Sequence, residues 1–215
     1  MMKLGGLSGR FFLISEWISR FAYVNFLWIV FSLAGLVAFG IMPATVALFS
    51  VTRKWVMGRT DFPIFQTFAK TFRKEFIKSN MLGLILFSFG YMLYVDLAYI
   101  PTEGILLTLL RFSVLAIGFF FIIIVLYIFP VYVHYEWKTL SYIKYALILG
   151  ASYPHFTFGM MIAMFILYLM LSILPGIIPF FSVSLLAYLM MYISYQVFSK
   201  AESYDGYEEK EESFS

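Results

Sequence analysis

Five apolar runs, each about as long as a membrane-spanning helix, constrain this chain more than any other feature. They cover residues 21–41, 81–100, 112–133, 156–174 and 180–198. A helix of about 20 apolar residues crosses the ~30 Å hydrocarbon layer of a bilayer. Only 13% of the residues are charged, against about 25% in an ordinary soluble domain. The sequence therefore predicts an all-α, polytopic membrane helical bundle with about five transmembrane helices.

Proline and glycine mark the breaks between and within these runs. The stretch PGIIP at 175–179 divides the last two runs into a hairpin, because proline ends a helix. Pro43 follows Gly40 inside the first apolar region, which continues in weaker form to Thr52. Two alternatives stay open for residues 21–52. The region spans the membrane once, or it enters and leaves on the same side.

The distribution of lysine and arginine predicts the orientation. Residues 53–80 carry seven of them, and the loop after the third run and the tail bring that side to eleven, against four on the other side. Because cytoplasmic loops are enriched in these residues, we expect a cytoplasmic C-terminus and an N-terminus outside. Basic residues before the first run conflict with an outside N-terminus, and the same-side alternative removes that conflict. Residues 1–200 are predicted to form one membrane domain, and the acidic residues 201–215 a disordered cytoplasmic tail.

The stretch FPIFQTFAKTFRKEFIKSN at 62–80 predicts an amphipathic helix over about 63–78, because phenylalanines and cations separate onto opposite faces at 100° per residue. This pattern is typical of a cytoplasmic interfacial helix, with aromatic rings at the acyl boundary and cations among anionic headgroups. Docking of a protein partner is the alternative, and one short basic helix beside a span does not indicate nucleic-acid binding. The apolar face is Phe65, Phe68, Phe72 and Phe76; the cationic face includes Lys70, Arg73, Lys74 and Lys78; Asn80 follows.

Small and polar residues within the spans predict close contacts between helices. Asn25 and Asn80 lie near the starts of spans, where helix capping or hydrogen bonding between helices explains them. Four glycines can allow close helix packing, although neither pair has the four-residue spacing of a dimerisation motif. These glycines are Gly35, Gly40, Gly83 and Gly90.

Three stretches resemble the YesL-type family of bacterial integral membrane proteins, whose function is not established. They read YVNFLWIVFSLAGLVAFG, GIMPATVALFSVTRKWVMG and FAKTFRKEFIKSNMLGLIL. The similarity is most specific around Gly40 and Pro43 and in the spaced phenylalanines that precede Asn80. Members are often encoded beside carbohydrate-uptake ABC transporters, mostly in Gram-positive bacteria. The resemblance implies a bacterial plasma membrane protein near sugar import, with the bilayer, an ABC transporter permease or a second copy of the chain as partners.

No catalytic, metal or cofactor site is predicted. His134 stands two residues before Glu136 at the end of the third run, which is more typical of an interfacial aromatic belt than of a metal site. The chain lacks cysteine and contains no phosphate-binding loop, serine-hydrolase or zinc-protease motif. Asp96 and Arg111 lie near the outer ends of the second and third runs, where they can pair or, as we favour, reach the interface separately. We therefore expect a non-enzymatic accessory membrane protein, with an oligomeric transport component as the alternative.

Overall fold

The computed structural model describes residues 7–101 and 103–212, and it describes side chains from residue 11 to residue 203 within these ranges. Within these residues five stretches are long and apolar enough to cross a membrane, which confirms the predicted class and the number of candidate spans. A short 3-10 turn at Pro175–Ile177 separates the last two helices, as the prolines predicted. The helices are α1 (Leu7–Ala34), α2 (Ile41–Val56), α3 (Ile64–Tyr99), α4 (Ile105–His134), α5 (Thr139–Ser152), α6 (Pro154–Ile173) and α7 (Ile178–Glu212).

The first apolar region folds into two helices joined by a tight turn at residues 35–40. Pro43 lies in the first turn of α2, where its missing N–H leaves no hydrogen bond unmade. Gly40 is required by close approach, because a Cβ atom there would overlap the backbone carbonyl of Ser32. Leu36 and Val37 adopt φ angles of 57° and 62°, a left-handed conformation that costs energy for residues with bulky side chains. The turn is therefore held by the packing around it.

The helices α1 and α2 run antiparallel. The ring of Trp17 lies 5.6 Å from that of Trp55, and the Nε1 of Trp28 donates a hydrogen bond to the Oγ1 of Thr45 at 3.1 Å. The early part of α1 thus lies beside the end of α2, which is the arrangement expected of the same-side alternative for residues 21–52. An outside N-terminus stays a prediction, but the hairpin favours the alternative that removes its conflict with the basic residues before the first run. Residues 1–6 themselves lie outside the described residues.

The helix α3 is 36 residues long and unbroken. The amphipathic segment predicted at 63–78 begins at Ile64 as expected, but it is the first half of α3 and not a separate helix. At 1.5 Å per residue α3 extends about 54 Å, more than the ~30 Å hydrocarbon layer. Because ionised side chains are costly inside that layer, we infer that this first half, which carries the exposed cations, extends beyond it.

The short helix α2 packs antiparallel along the first half of α3. The Nζ of Lys54 donates to the Oγ1 of Thr67 at 3.2 Å, and at the other end Met42 contacts the helix at Gly83. A Cβ atom at Gly83 would collide with the Met42 side chain, which confirms close packing at this glycine. One cluster of buried apolar side chains draws on all seven helices and is densest around α2. The predicted membrane domain thus has a single core in the described residues.

The acidic tail begins within a helix. We predicted disorder from residue 201, but α7 continues to Glu212, and residues 213–215 lie outside the described residues. Glu202 is anchored by hydrogen bonds to His134 and Tyr135. These two hydrogen bonds, to α4 and to the loop that follows it, stabilise the first turn of the tail segment. Amino-acid composition does not reveal such contacts.

Cysteine labelling can test the orientation, since the chain has no cysteine of its own. If the charge distribution sets the orientation, Glu103→Cys is expected to react with an impermeant thiol reagent in intact cells, and Asp61→Cys only after lysis. Because α1 and α2 are antiparallel, Ser15→Cys is expected to behave like Asp61→Cys. Reversed labelling at 103 and 61 would contradict the charge argument, and labelling of position 15 from outside alone would contradict the hairpin.

Candidate functional site: the polar end of the helix bundle

A polar network joins α2, α4 and α7 at one end of the molecule, here called the polar end. The Nε of Arg53 donates to the Nδ1 of His134 at 3.3 Å, so the ring proton lies on Nε2, which is 3.3 Å from the Oε1 of Glu202. Tyr135 donates to the same carboxylate oxygen at 3.2 Å. Burial and the neighbouring Arg59 lower the pKa of the Arg53 guanidinium from its ordinary value. Both ring nitrogens of His134 are engaged, so the imidazole is fixed in place and is not presented as a general base.

A cavity of about 480 Å³ opens beside this network, between α2, α3, α4 and the start of α5. The Tyr132 hydroxyl donates to the Oε2 of Glu75 at 2.7 Å, and the Nζ of Lys74 lies 3.6 Å from the Oε1 of the same carboxylate. Lys78 extends over the ring of Tyr142, 5.9 Å from its centroid. Both signs of charge and several hydroxyl groups therefore face one space.

Stacked rings form the wall of the cavity in the loop between α4 and α5. The Trp137 ring lies 4.4 Å from Tyr135 and 3.9 Å from Tyr145, and both pairs are stacked. The Tyr142 hydroxyl accepts a hydrogen bond from the backbone N–H of Trp137 at 3.0 Å and donates one to the carbonyl of Tyr135 at 3.3 Å. Rings fixed by stacking and hydrogen bonds lose little entropy when a partner binds. The loop is thus a rigid aromatic surface.

The aromatic face of the first half of α3 has a different environment from the one that the sequence predicts. Phe68 has no exposed surface and packs 5.2 Å from the ring of Phe31 on α1. Phe72 also contacts Phe31, and only Phe65 is largely exposed. The expectation that this aromatic face lies in lipid is therefore wrong for Phe68, because α1 and α2 cover it. The cations are exposed as predicted; they are Lys70, Arg73, Lys74 and Lys78.

Asn25 and Asn80 form hydrogen bonds to other elements of the fold, which is one of the two roles predicted for them, the other being helix capping. Asn80 donates to the carbonyls of Phe39 and Phe76 at 2.9 and 2.8 Å, which ties α3 to the 35–40 turn. The fully buried Asn25 donates to the carbonyl of Pro179 at 2.6 Å. Its Oδ1 accepts from the backbone N–H groups of Val183 and Ser184 at 3.1 and 3.0 Å.

Other candidate residues do not come together. Asp96 and Arg111 flank the α3–α4 turn, and they form no ion pair within 4 Å in the described residues, so the pairing alternative does not occur there. Both lie near helix ends, where the interface is close and a charged side chain needs no partner within the span. His134 contacts Glu202 and not Glu136, and no group of three metal-binding side chains occurs in the described part of the chain.

Sequence reasoning missed the Arg53–His134–Glu202 network. Arg53 is 81 residues from His134, and Glu202 is a further 68 residues on. No local spacing connects positions so far apart. The sequence offered one weak indication: each of these three residues lies at or near the end of an apolar run. If successive spans alternate in direction, every second helix end lies at the same end of the bundle.

Comparison with known proteins places these features in a family. Residues 21–97, which contain the second half of α1, all of α2 and nearly all of α3, match the family described as "Protein of unknown function, DUF624". The chain is 45% identical to the uncharacterized protein YteU of Bacillus subtilis (strain 168), covering 95% of this chain and 92% of the relative. The uncharacterized proteins YesV and YesL of the same organism are each 38% identical, covering 87% and 91% of this chain and 91% of each relative. No solved structure matches.

Proposed function

Since this chain belongs to the DUF624 family, whose members YteU, YesV and YesL match it over about nine-tenths of its length, we propose that it is a non-enzymatic accessory protein of a membrane transport system. It acts on the assembly, stability or regulation of carbohydrate uptake. The resemblance to YesL-type proteins, often encoded beside sugar importers, supports the link to carbohydrate. The polytopic membrane architecture supports a partner that is itself a membrane protein, such as an ABC transporter permease.

The observation that carries the proposal is the composition of the polar end. Tyrosine and tryptophan are enriched where proteins bind one another, and a rigid cavity that they line can receive an anchoring side chain. Here Tyr135, Trp137 and Tyr145 stack beside a cavity that also presents Lys78 and Glu136. In the described residues no Asp, Glu, Lys or Arg is fully buried. These features support a contact surface at one end more than a charged pathway through the spans.

Affinity purification in mild detergent tests this proposal. The tagged full-length protein is expected to recover a permease subunit, identified by mass spectrometry. Glu136→Lys reverses a charge at the exposed rim of the cavity, and we expect it to reduce that recovery at least about tenfold, because like charges across an interface cost several kcal/mol. Glu103→Lys is the matched control. It makes the same change at the other end of α4, about 45 Å away at 1.5 Å per residue.

Recovery must be compared at equal abundance of folded protein in the membrane. A protein that purifies alone from every preparation would contradict the accessory role. Equal recovery by the Glu136→Lys and Glu103→Lys variants would leave the accessory role standing but would remove the polar end as the contact surface.

A transport component that forms its own pathway as an oligomer is the second candidate, and the 480 Å³ cavity favours it because transport sites require a polar cavity. Reconstitution into liposomes with labelled oligosaccharides separates the two candidates. The accessory role predicts no flux above that of empty liposomes. Saturable flux that Glu75→Gln abolishes, with folding unchanged, would favour transport instead.

A further inference from the structure

A groove of about 620 Å³ lies between α1 and the first half of α3, and it shares Lys74 but none of the aromatic wall with the cavity of the polar end. Its apolar wall is formed by Phe31 of α1 and by Phe65 and Ala69 of α3, and its other rim carries Lys70, Arg73 and Lys74. An apolar wall and a row of cations in one groove match a ligand that has an apolar part and an anionic part.

The cationic rim is one-sided. Lys70, Arg73 and Lys74 are spaced three and four residues apart and so share one face of α3. No carboxylate lines the groove, and among the ion pairs of the described residues these three appear only in the contact of Lys74 with Glu75 at 3.6 Å. Repulsion from Lys70 contributes, after burial and Arg59, to a lowered pKa of Lys54. The local field is therefore positive and favours an anion.

The apolar wall continues onto a surface suited to acyl chains. The Phe65 side chain is 51% exposed even though its ring packs 6.2 Å from that of Phe31. The neighbouring turn of α1 exposes Val30 and Leu33. A free phosphate ion would satisfy the cations but would leave this apolar surface uncovered, whereas a phospholipid would satisfy both parts.

We propose that this groove binds one anionic phospholipid, with its phosphate against Lys70, Arg73 and Lys74 and an acyl chain along Phe31, Phe65 and the exposed side of α1. The site is formed by the packing of α1 on α3, so it is a defined pocket and not a diffuse attraction to the membrane surface. It goes beyond the accessory role and does not depend on it, since the groove shares only Lys74 with the polar-end cavity and includes neither the aromatic wall nor Glu136 of the proposed partner surface.

The test uses the delipidated full-length protein in detergent, with fluorescent phosphatidylglycerol as the anionic probe and fluorescent phosphatidylcholine as the zwitterionic one. We expect phosphatidylglycerol to bind at least about tenfold more tightly. The double variant K70Q/R73Q is expected to weaken phosphatidylglycerol binding about thirty-fold, from the contribution of each cation near a phosphate. The matched control K138Q/K144Q removes two exposed lysines on and beside α5 and is expected to change the affinity less than about twofold.

Three results would overturn the proposal: equal weakening in both double variants, no weakening in either, or displacement of the lipid by inorganic phosphate at equal concentration. If K70Q/R73Q fails to give a monodisperse protein, two variants replace it. The charge-conserving variant K70R/R73K is expected to retain binding, and the single variant K70Q is expected to weaken it.

Phe65→Gln tests the apolar wall. It is expected to weaken phosphatidylglycerol binding severalfold, and unchanged affinity would show that the rings do not contact the lipid.

Discussion

Replacing Asn25 with leucine is expected to lower the free energy of unfolding by about 2–4 kcal/mol. Asn25 is 1% exposed and makes three hydrogen bonds to the backbone of α7. Leucine has a similar volume but leaves the Pro179 carbonyl and two N–H groups without that partner. Buried backbone groups without partners are costly, because no water reaches them. Thermal unfolding in detergent, followed by loss of the monodisperse species, measures the effect.

Ser19→Ala is the control on the same helix, since the exposed Ser19 hydroxyl bonds only to the Ser15 carbonyl one turn earlier. We expect its stability to lie within about 0.5 kcal/mol of the parent protein. If Asn25→Leu were as stable as Ser19→Ala, the α7 backbone would have to re-pair its own groups at 179–184. The asparagine would then not be the contact that holds α1 against α7.

Replacing Gly40 with alanine is expected to cost about 3 kcal/mol or more and to reduce folded protein in the membrane sharply. The added Cβ atom would overlap backbone atoms of Ser32, which cannot rotate away as a side chain can. The 35–40 turn also contains two residues with positive φ, so it has little freedom left to adjust. We therefore expect the α1–α2 hairpin not to close. Membrane abundance and thermal unfolding in detergent are the measurements.

Alanine substitutions at two other glycines, with less crowded surroundings, serve as comparisons for Gly40→Ala. Gly118 of α4 has no atom within 4 Å of an added Cβ, so Gly118→Ala is expected to be neutral or to stabilise by about 0.5–1 kcal/mol, because alanine is the better helix former. Gly83→Ala would meet only the flexible side chain of Met42, and its cost is expected to lie between the two. If all three variants were equally stable, the close approach at Gly40 would not be what closes the hairpin.

The aromatic face of α3 could be predicted from the sequence, but the surface that it contacts could not. The spacing of Phe65, Phe68 and Phe72 correctly placed these rings on one face of a helix. It did not reveal what that face contacts, because lipid tails are about as apolar as leucine side chains and give the same sequence pattern as a protein core. The structure places Phe68 against Phe31 of α1 and leaves Phe65 largely exposed.

Local chemistry determined the class of this protein, its five candidate spans and the break at 175–179, because run length is a property of a single helix and a proline breaks the helix at its own position. Tertiary structure alone decided the direction of residues 21–52, since Gly40 and Pro43 are compatible with a kink or with a reversal. It also decided the polar end, where Arg53, His134 and Glu202 meet. Helix ends far apart in sequence become neighbours only when the apolar surfaces of α2, α4 and α7 have packed, and no periodicity within a single helix records which partner each surface will find.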